Sequence, residues 1–547
     1  MIRRLGVFMV LAALVLSVFV APSRAARASV AAAAPTPTLI AEVNGAGKGR
    51  VWVGAVPPNS GGKPVLVFVH GLHGKATNWW GPTTYSGTND MYDKAYASGY
   101  RTAFVSLDDE VDGPASSVWA NGSTFNRQLD VILRHYGVSS VNVIAHSKGG
   151  ADTNSALVHY GASRKVQNIV TLSSPHHGSQ LADLAYSWWA GWLASLLGQK
   201  DDGTYSMQMG QMSAFRSQTD GRAENANFRY HTSGGTNHGS LFSAMWFGGA
   251  YLPGDNDGVV TVISSNHPRQ YSRLFTANLN HDNIRKGSDV WTRIEPSVRS
   301  FWRTSLVEPT AKAEAAPQAA PVLASDSILR GGQLAGDTEL LRLPVEGGAS
   351  QVSFDLISDR ADLQVTFVDP QGAAYPAAKP AADDELFRGG FHYSAQVGKP
   401  VAGQWTVELR GAPGAGYLLT AQIDSALRLS LQRDQALLAP GAQLSLQVAT
   451  LGKAPARSLN TEVLLTGTAV GRELPLALPT QLTASAAGAA KAQPSLALPQ
   501  AAGLYQLAVT VTGTAADGTA FERSFATSLP VVDAATAQKA ALLPAGR

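Results

Sequence analysis

Cysteine is absent from this chain of 547 residues. That excludes a thiol nucleophile, a cysteine-ligated metal centre and any disulfide framework. An excess of one charge is missing as well, since 43 Lys and Arg against 40 Asp and Glu leave a net charge of only +3. Nucleic acid is not expected as a partner, because its recognition needs basic residues clustered on one face. Apolar runs long enough to span a bilayer are missing beyond Val20, so no integral membrane segment is expected in the mature chain. Aromatic and imidazole side chains are scarce in the second part. Beyond residue 305 there is one of the eleven tryptophans, Trp405, and one of the twelve histidines, His392. Chemistry is therefore expected in the first part.

What is present begins with Met1-Ile-Arg-Arg4 and the apolar stretch Leu5 to Val20, followed by small residues around Ser23-Arg24-Ala25 and Ala26-Arg27-Ala28. This pattern predicts a secretory signal over 1–28 and a secreted protein. The length calls for about two to four domains. A first region over 39–305 alternates strand and helix patterns. The strands are read at Arg50 to Val56, Val65 to His70, Thr102 to Leu107, Val141 to Ile144, Asn168 to Ser173, Phe228 to Thr232 and Arg273 to Thr276. Helices are read around Tyr92 to Ser98, Asn126 to Tyr136, Ala151 to Tyr160 and Val290 to Trp302. Continuous apolar strands alternating with helices predict an α/β domain with a mostly parallel sheet covered on both faces.

An Ala/Pro-rich linker is expected over 306–325. Beyond it come short alternating runs such as Gln351-Val-Ser-Phe-Asp-Leu356, Trp405-Thr-Val-Glu-Leu409 and Gln506-Leu-Ala-Val-Thr-Val511, divided by Gly, Pro and Asp turns. They predict two all-β sandwich-like domains, over 326–425 and 426–533, with a loose tail over 534–547.

The most informative segment is Val141-Asn-Val-Ile-Ala-His-Ser-Lys-Gly-Gly150. A β-branched run, a turn of small residues with one serine at its apex, and a following helix make the setting of a nucleophile elbow. A serine hydroxyl attacks well only when a base takes its proton and a third group orients that base. Downstream, Asp255-Asn-Asp-Gly-Val-Val260 follows one strand and Asn278-Leu-Asn-His281 follows the next, which brings an acid and a base to the sheet edge of Ser147. Asp257 is preferred to Asp255 because it joins the Gly-Val-Val run. His281 is preferred to His267, which precedes its strand and is trailed by Pro268. Acyl transfer also needs donors for the developing oxyanion. The strand Val65 to Val69 ends in His70-Gly71-Leu72, so the N–H groups of Leu72 and Lys148 are the expected pair. Trp188, Trp189 and Trp192 lie within Leu181 to Leu197 and read as a lid or a surface meeting lipid or polymer, which Trp79 and Trp80 would extend. His176 and His177 read as loop packing rather than ligands.

Together, His70-Gly-Leu72, Ala145-His-Ser-Lys-Gly-Gly150, Ser174-Pro-His-His-Gly-Ser-Gln-Leu-Ala-Asp183, Asn256-Asp-Gly-Val-Val260 and Asn280-His281-Asp resemble the secreted bacterial triacylglycerol lipases and esterases of the α/β-hydrolase superfamily. The chain is similar also to extracellular polyhydroxyalkanoate depolymerases, some of which share the alanine at the start of the elbow. The resemblance spans about Leu39 to Ser305. It implies Ser147 as nucleophile, His281 as base, Asp257 as orienting acid, and Leu72 and Lys148 as oxyanion donors. Calcium-binding relatives carry His-Leu-Asp after the base where this chain has His281-Asp282, so no metal is expected, and no cofactor. The weak likeness of Gly403 to Leu419 to β-sandwich modules of secreted bacterial peptidases implies fold only.

The expected function is that of a secreted carboxylic ester hydrolase acting on a lipid ester at an interface. A polyester depolymerase is the alternative. A catalytically inactive binding or adhesion protein is the alternative of another class.

Overall fold

A computed structural model describes residues 33–45, 47–83, 86–107, 114–186, 201–240, 243–302, 322–383, 389–435, 437–451, 455–469, 482–486 and 491–533. The expected signal over 1–28, most of the expected linker, the tail over 534–547, and Trp188, Trp189 and Trp192 lie outside the described residues.

The first region is built on an eight-stranded sheet. Its strands are β1 (Thr38–Glu42), β2 (Arg50–Val53), β3 (Leu66–Val69), β4 (Thr102–Ser106), β5 (Val141–His146), β6 (Val166–Leu172), β7 (Arg229–Gly235) and β8 (Gln270–Ala277). They lie in the order β1-β2-β4-β3-β5-β6-β7-β8. The pairs from β4 through β8 are parallel, and β1 and β2 add antiparallel strands at one edge. Every residue of β3, β4 and β5 is buried. A strand covered on both faces needs apolar residues in succession rather than in alternation, which is the pattern that Leu66-Val-Phe-Val69 carries.

The helices of this region are α1 (Met91–Ala97), α2 (Val118–Tyr136), α3 (Lys148–His159), α4 (Gln180–Ala185), α5 (Asp202–Ser206), α6 (Met209–Thr219), α7 (Ala244–Tyr251) and α8 (Gly287–Val298). Helix α2 starts where the Ser117 side chain accepts from the Ala120 N–H and stops at Gly137, whose φ of 63° is left-handed. It begins eight residues before the expected Asn126. The extra turns carry Asn121, Gly122 and Thr124 inward, and a methyl group at Gly122 would come within 2.4 Å of the Ser155 hydroxyl. Helices α2 and α3 thus meet through small and polar residues, which an apolar period does not reveal. Apolar side chains fill both faces of the sheet. Phe125, Leu129 and Ile132 pack on one, and Phe68, Phe104, Trp291 and Ile294 on the other.

The second region is all antiparallel β. Residues 327–424 form a five-stranded and a four-stranded sheet. Their shared core has Phe354 stacked on Phe367 at 4.6 Å, with Trp405 5.5 Å from Phe354. Residues 428–531 form two further sheets around Leu429, Val448, Val463, Val509 and Phe525. Leu323–Ser325, at the end of the expected linker, is a strand paired with Leu429–Leu431.

Both regions meet through a buried apolar cluster that joins Leu184, Ala185 and Phe247 to Leu329, Ile357, Leu418, Ala508 and Ala526. Beside it Asp183 in α4 accepts from the Ser528 hydroxyl at 2.6 Å and the Ser528 N–H at 3.2 Å. The Gly210 N–H donates to the Ser528 hydroxyl oxygen at 2.7 Å.

Candidate active site

At the C-terminal edge of the sheet the turn between β5 and α3 holds Ser147 at φ 53° and ψ −135°. A non-glycine residue with positive φ is strained, and such strain persists only where the surroundings impose it. Here the Ser147 N–H is bonded to the Leu172 carbonyl at 3.0 Å. Close approach explains the neighbouring glycines: a methyl group at Gly149 would lie 2.2 Å from the His70 carbonyl oxygen, and one at Gly71 would lie 2.6 Å from Ser147 Cβ. The loop after β3 and the turn after β5 are therefore in direct contact.

The loops after β7 and β8 deliver the other two groups. His281 Nε2 lies 3.0 Å from Ser147 Oγ, and His281 Nδ1 lies 2.8 Å from Asp257 Oδ2. An ionised carboxylate only accepts, so the imidazole proton sits on Nδ1 and the Nε2 lone pair faces the serine hydroxyl. Asp257 is fully buried, and its Oδ1 accepts from the N–H groups of Val259 at 3.0 Å and Val260 at 2.7 Å. The Gly258-Val259-Val260 run thus wraps the acid and fixes its rotamer. The main chain adds a third tie, from the His281 N–H to the Asp257 carbonyl at 2.9 Å.

Neither rival group enters this line. Asp255 is exposed, and His267 is buried and stacked on Tyr230 at 3.9 Å. His176 and His177 are also away from it. Burial pushes His177 down to about 4 and holds His176 well below the ordinary histidine value. Trp79 and Trp80 depart from the surface expected of them. Trp79 is fully buried against Phe68, and Trp80 is half-buried and packs edge-on to Phe104 at 4.8 Å, so the first is core and the second rests against it. Two adjacent tryptophans in a loop give no periodicity by which core could be told from surface.

Lys148, at the first position of α3, directs its ammonium away from the serine to Asp152, 2.8 Å distant, and both side chains are fully buried. Its backbone N–H stays at the positive end of the helix, suited to a developing negative charge. The loop after β3 is shaped by His70. The Leu107 N–H donates to His70 Nε2 at 2.9 Å, so Nδ1 carries the proton and donates to the Gly71 carbonyl at 2.7 Å. Across the planar Gly71–Leu72 peptide the Leu72 N–H points the opposite way.

The residue before the nucleophile has a role that the elbow motif alone does not reveal. His146 Nε2 donates to the His281 carbonyl at 2.8 Å, and the two rings lie 4.7 Å apart. Burial, then the neighbouring His281 ring, hold His146 well below the ordinary histidine value, so it is a neutral donor that ties the elbow to the loop of the base. Among the described residues no group of three or more His, Cys, Asp or Glu is placed to hold a metal ion.

Comparison with known proteins agrees with this architecture. A family model described as a PGAP1-like alpha/beta domain matches residues 59–187. The lipase BlEst2 of Bacillus licheniformis in its propeptide form is 28% identical, with 89% of this chain and 98% of that chain covered and a TM-score of 0.69. Its mature form is 39% identical, over 46% of this chain and 99% of that one, with a TM-score of 0.42. With that identity over the whole mature lipase, the chain belongs to the lipases and esterases of the α/β-hydrolase class.

Proposed function

We propose that this protein is a secreted serine carboxylic ester hydrolase of the lipase type, working through an acyl-enzyme on Ser147. The observation that carries the reading is the continuous line from Ser147 Oγ through His281 to Asp257, at 3.0 Å and 2.8 Å, with the serine strained at its apex. His281 Nε2 takes the hydroxyl proton as Oγ bonds to the ester carbonyl carbon. The same proton then leaves with the departing alcohol. A water that gives its proton to Nε2 attacks the acyl-enzyme, the bond from the acyl carbon to Oγ breaks as Nε2 returns the proton to Oγ, and the acid is released. Leu72 and Lys148 supply the backbone donors for the oxyanion. No helix among the described residues is long and apolar enough to cross a membrane, in keeping with a substrate met at a lipid surface from the aqueous side.

The test is hydrolysis of a soluble p-nitrophenyl ester. Ser147→Ala should lower kcat by about 10⁴-fold or more while circular dichroism stays unchanged. A variant that keeps its activity would overturn the reading, and no hydrolysis by the unaltered protein would favour the binding protein. Emulsified triglyceride against a polyester film separates the lipase from the polyester depolymerase.

A second proposal concerns the all-β region. The similar Bacillus lipase exists in a propeptide and a mature form, and the mature one spans 46% of this chain. We infer that residues after 322 act as a propeptide, bound through Ser528 to Asp183 and Gly210. Limited proteolysis of the full chain should leave a hydrolase fragment with undiminished activity on the soluble ester. Loss of that activity in step with loss of the β region would overturn it.

A further inference from the structure

The loop that carries Leu72 contains a residue in a conformation that its own chemistry disfavours. The Gly74 N–H donates to the Gly71 carbonyl at 3.1 Å, closing a four-residue turn over Gly71-Leu-His-Gly74. His73, in its third position, has φ 51°. That position of a turn calls for glycine, because a side chain crowds the backbone in the left-handed region. Histidine stands there instead, and its ring is held from a distant part of the chain. His73 Nε2 lies 2.7 Å from Asp201 Oδ2, 128 residues away, and the two side chains are 12% and 3% exposed.

Asp201 is itself tied down on every side. Its Oδ2 also accepts from the Ala115 N–H at 2.9 Å, and its Oδ1 accepts from the Thr204 N–H at 2.8 Å. The Tyr186 hydroxyl donates to its carbonyl at 3.0 Å. Burial pushes its carboxyl up, but the bonds from His73, Thr204 and Ala115 outweigh this and hold it below the ordinary aspartate value. Helix α5 then abuts the loop directly. A methyl group at Gly203 would lie 2.9 Å from Leu72 Cδ1 and 2.4 Å from Ala115 Cβ.

We propose that His73 and Asp201 are positioning residues for the oxyanion hole: their hydrogen bond holds the third position of the turn in its left-handed conformation, which keeps the Leu72 N–H aimed at the reacting carbonyl oxygen. The chain of cause is short. The left-handed residue closes the turn, the closed turn fixes the Gly71 carbonyl between Gly74 and His70, and the planar peptide fixes the Leu72 N–H opposite it. This rests on the reading of Leu72 as an oxyanion donor and of Ser147 as nucleophile.

The experiment compares kcat and KM for a soluble ester in the full-length protein and in Ser147→Ala, His73→Ala, His73→Gly, Asp201→Ala and the double variant His73→Gly with Asp201→Ala. Removing one oxyanion donor costs about a hundredfold or more in rate. His73→Ala and Asp201→Ala should therefore lose about 10- to 100-fold in kcat with little change in KM. His73→Gly should lose far less, because glycine takes the left-handed conformation without a partner. The double variant should match His73→Gly rather than Asp201→Ala. That rescue is what a purely structural aspartate would not permit, since the Ala115 and Thr204 bonds remain broken. Equal losses in His73→Ala and His73→Gly, or no rescue in the double variant, would overturn the proposal. Activity surviving in Ser147→Ala would instead overturn the reading on which it rests.

Discussion

Among the described residues, serine, histidine and aspartate meet at two places. In the α/β region Ser147 faces His281, and His281 faces Asp257. In the all-β region the Ser394 hydroxyl donates to Asp355 Oδ1 at 2.5 Å, and His392 Nδ1 lies 2.8 Å from Asp355 Oδ2. The residue types are the same, but the order of bonds differs. Histidine stands between the other two in the first trio, so a base faces the hydroxyl. Aspartate stands between them in the second, so the hydroxyl proton already points at a carboxylate rather than at the imidazole. The backbone differs as well. Ser147 is at the strained apex of a turn with helix α3 behind it, whereas Ser394 and His392 lie within the regular strand Gly390–Gly398. His392 packs edge-on to Phe247 of α7 at 5.1 Å, so the second trio helps join the two regions. The comparison teaches that order and backbone setting, rather than residue type, separate a candidate catalytic trio from a structural one.

The widest separation should come from the serines. Ser147→Ala should lower ester hydrolysis by about 10⁴-fold or more, and Ser394→Ala should leave it at the full-length value. Assay of both on a soluble ester decides this, and a large loss in Ser394→Ala would break the comparison. The acids should follow. Asp257→Asn keeps the shape but offers an amide to Nδ1, which favours the wrong tautomer of His281, and a loss of about 10⁴-fold in kcat is expected. Asp355→Asn should leave kcat alone and lower stability by about 1–3 kcal/mol, the cost of disturbing a buried hydrogen-bonded group. Chemical denaturation of the two variants would separate these outcomes.

The fold was legible wherever the signal was local. The run Val141 to Ile144, its turn and the helix after it could be read because strand, glycines and serine lie within ten residues. The nearness of Asp257 and His281 to Ser147 could be read because each follows a strand of the parallel part of the sheet, and parallel strands deliver their following loops to one edge. What escaped was fixed by contacts between distant segments. Helix α2 starts early because Gly122 lets it close on Ser155, and a glycine in sequence argues against helix rather than for it. Trp79 is core and Trp80 half-buried against it because the segment after β3 turns them onto Phe68 and Phe104. His73 and Asp201 are 128 residues apart, and no spacing rule pairs them.

A pH effect sharpens the contrast between the site and the seam. Asp183 is buried between the two regions, where burial pushes its carboxyl up to about 7 in spite of the bonds from Ser528 and Met209 and the guanidinium of Arg433. Tyr251 also lies within its field. A raised carboxyl means that the assembled protein holds a proton that the separated or unfolded chain releases near the ordinary aspartate value of 3.8. The stability it contributes is present below that value, falls as pH rises towards 7, and is gone above it. The slope cannot exceed about 1.4 kcal/mol per pH unit, the limit for one proton. Asp183→Asn should flatten this part of the profile, as read from the melting temperature of the full chain between pH 4 and pH 8. A rise in stability over that range that depends on Asp183 would show the carboxylate to be ionised by Arg433.

The smallest expected effect is that of metal removal. In calcium-binding relatives of the family a leucine separates the base from the next aspartate, and here Asp282 follows His281 directly. That aspartate is engaged elsewhere, by the Arg285 guanidinium, whose Nε lies 3.2 Å from Asp282 Oδ1. The loop is held instead by protein bonds: the Asn280 side chain accepts from the N–H groups of Asp282 at 3.0 Å and Asn283 at 2.8 Å, and His146 holds the His281 carbonyl. An arginine in place of a cation would neutralise the same carboxylate without needing further ligands. Chelation should therefore shift neither the rate on a soluble ester nor the melting temperature. Arg285→Ala should lower both, because it removes the guanidinium from a buried aspartate beside the base. A melting temperature that falls with chelator and returns with calcium would place the support of the His281 loop in a bound ion instead.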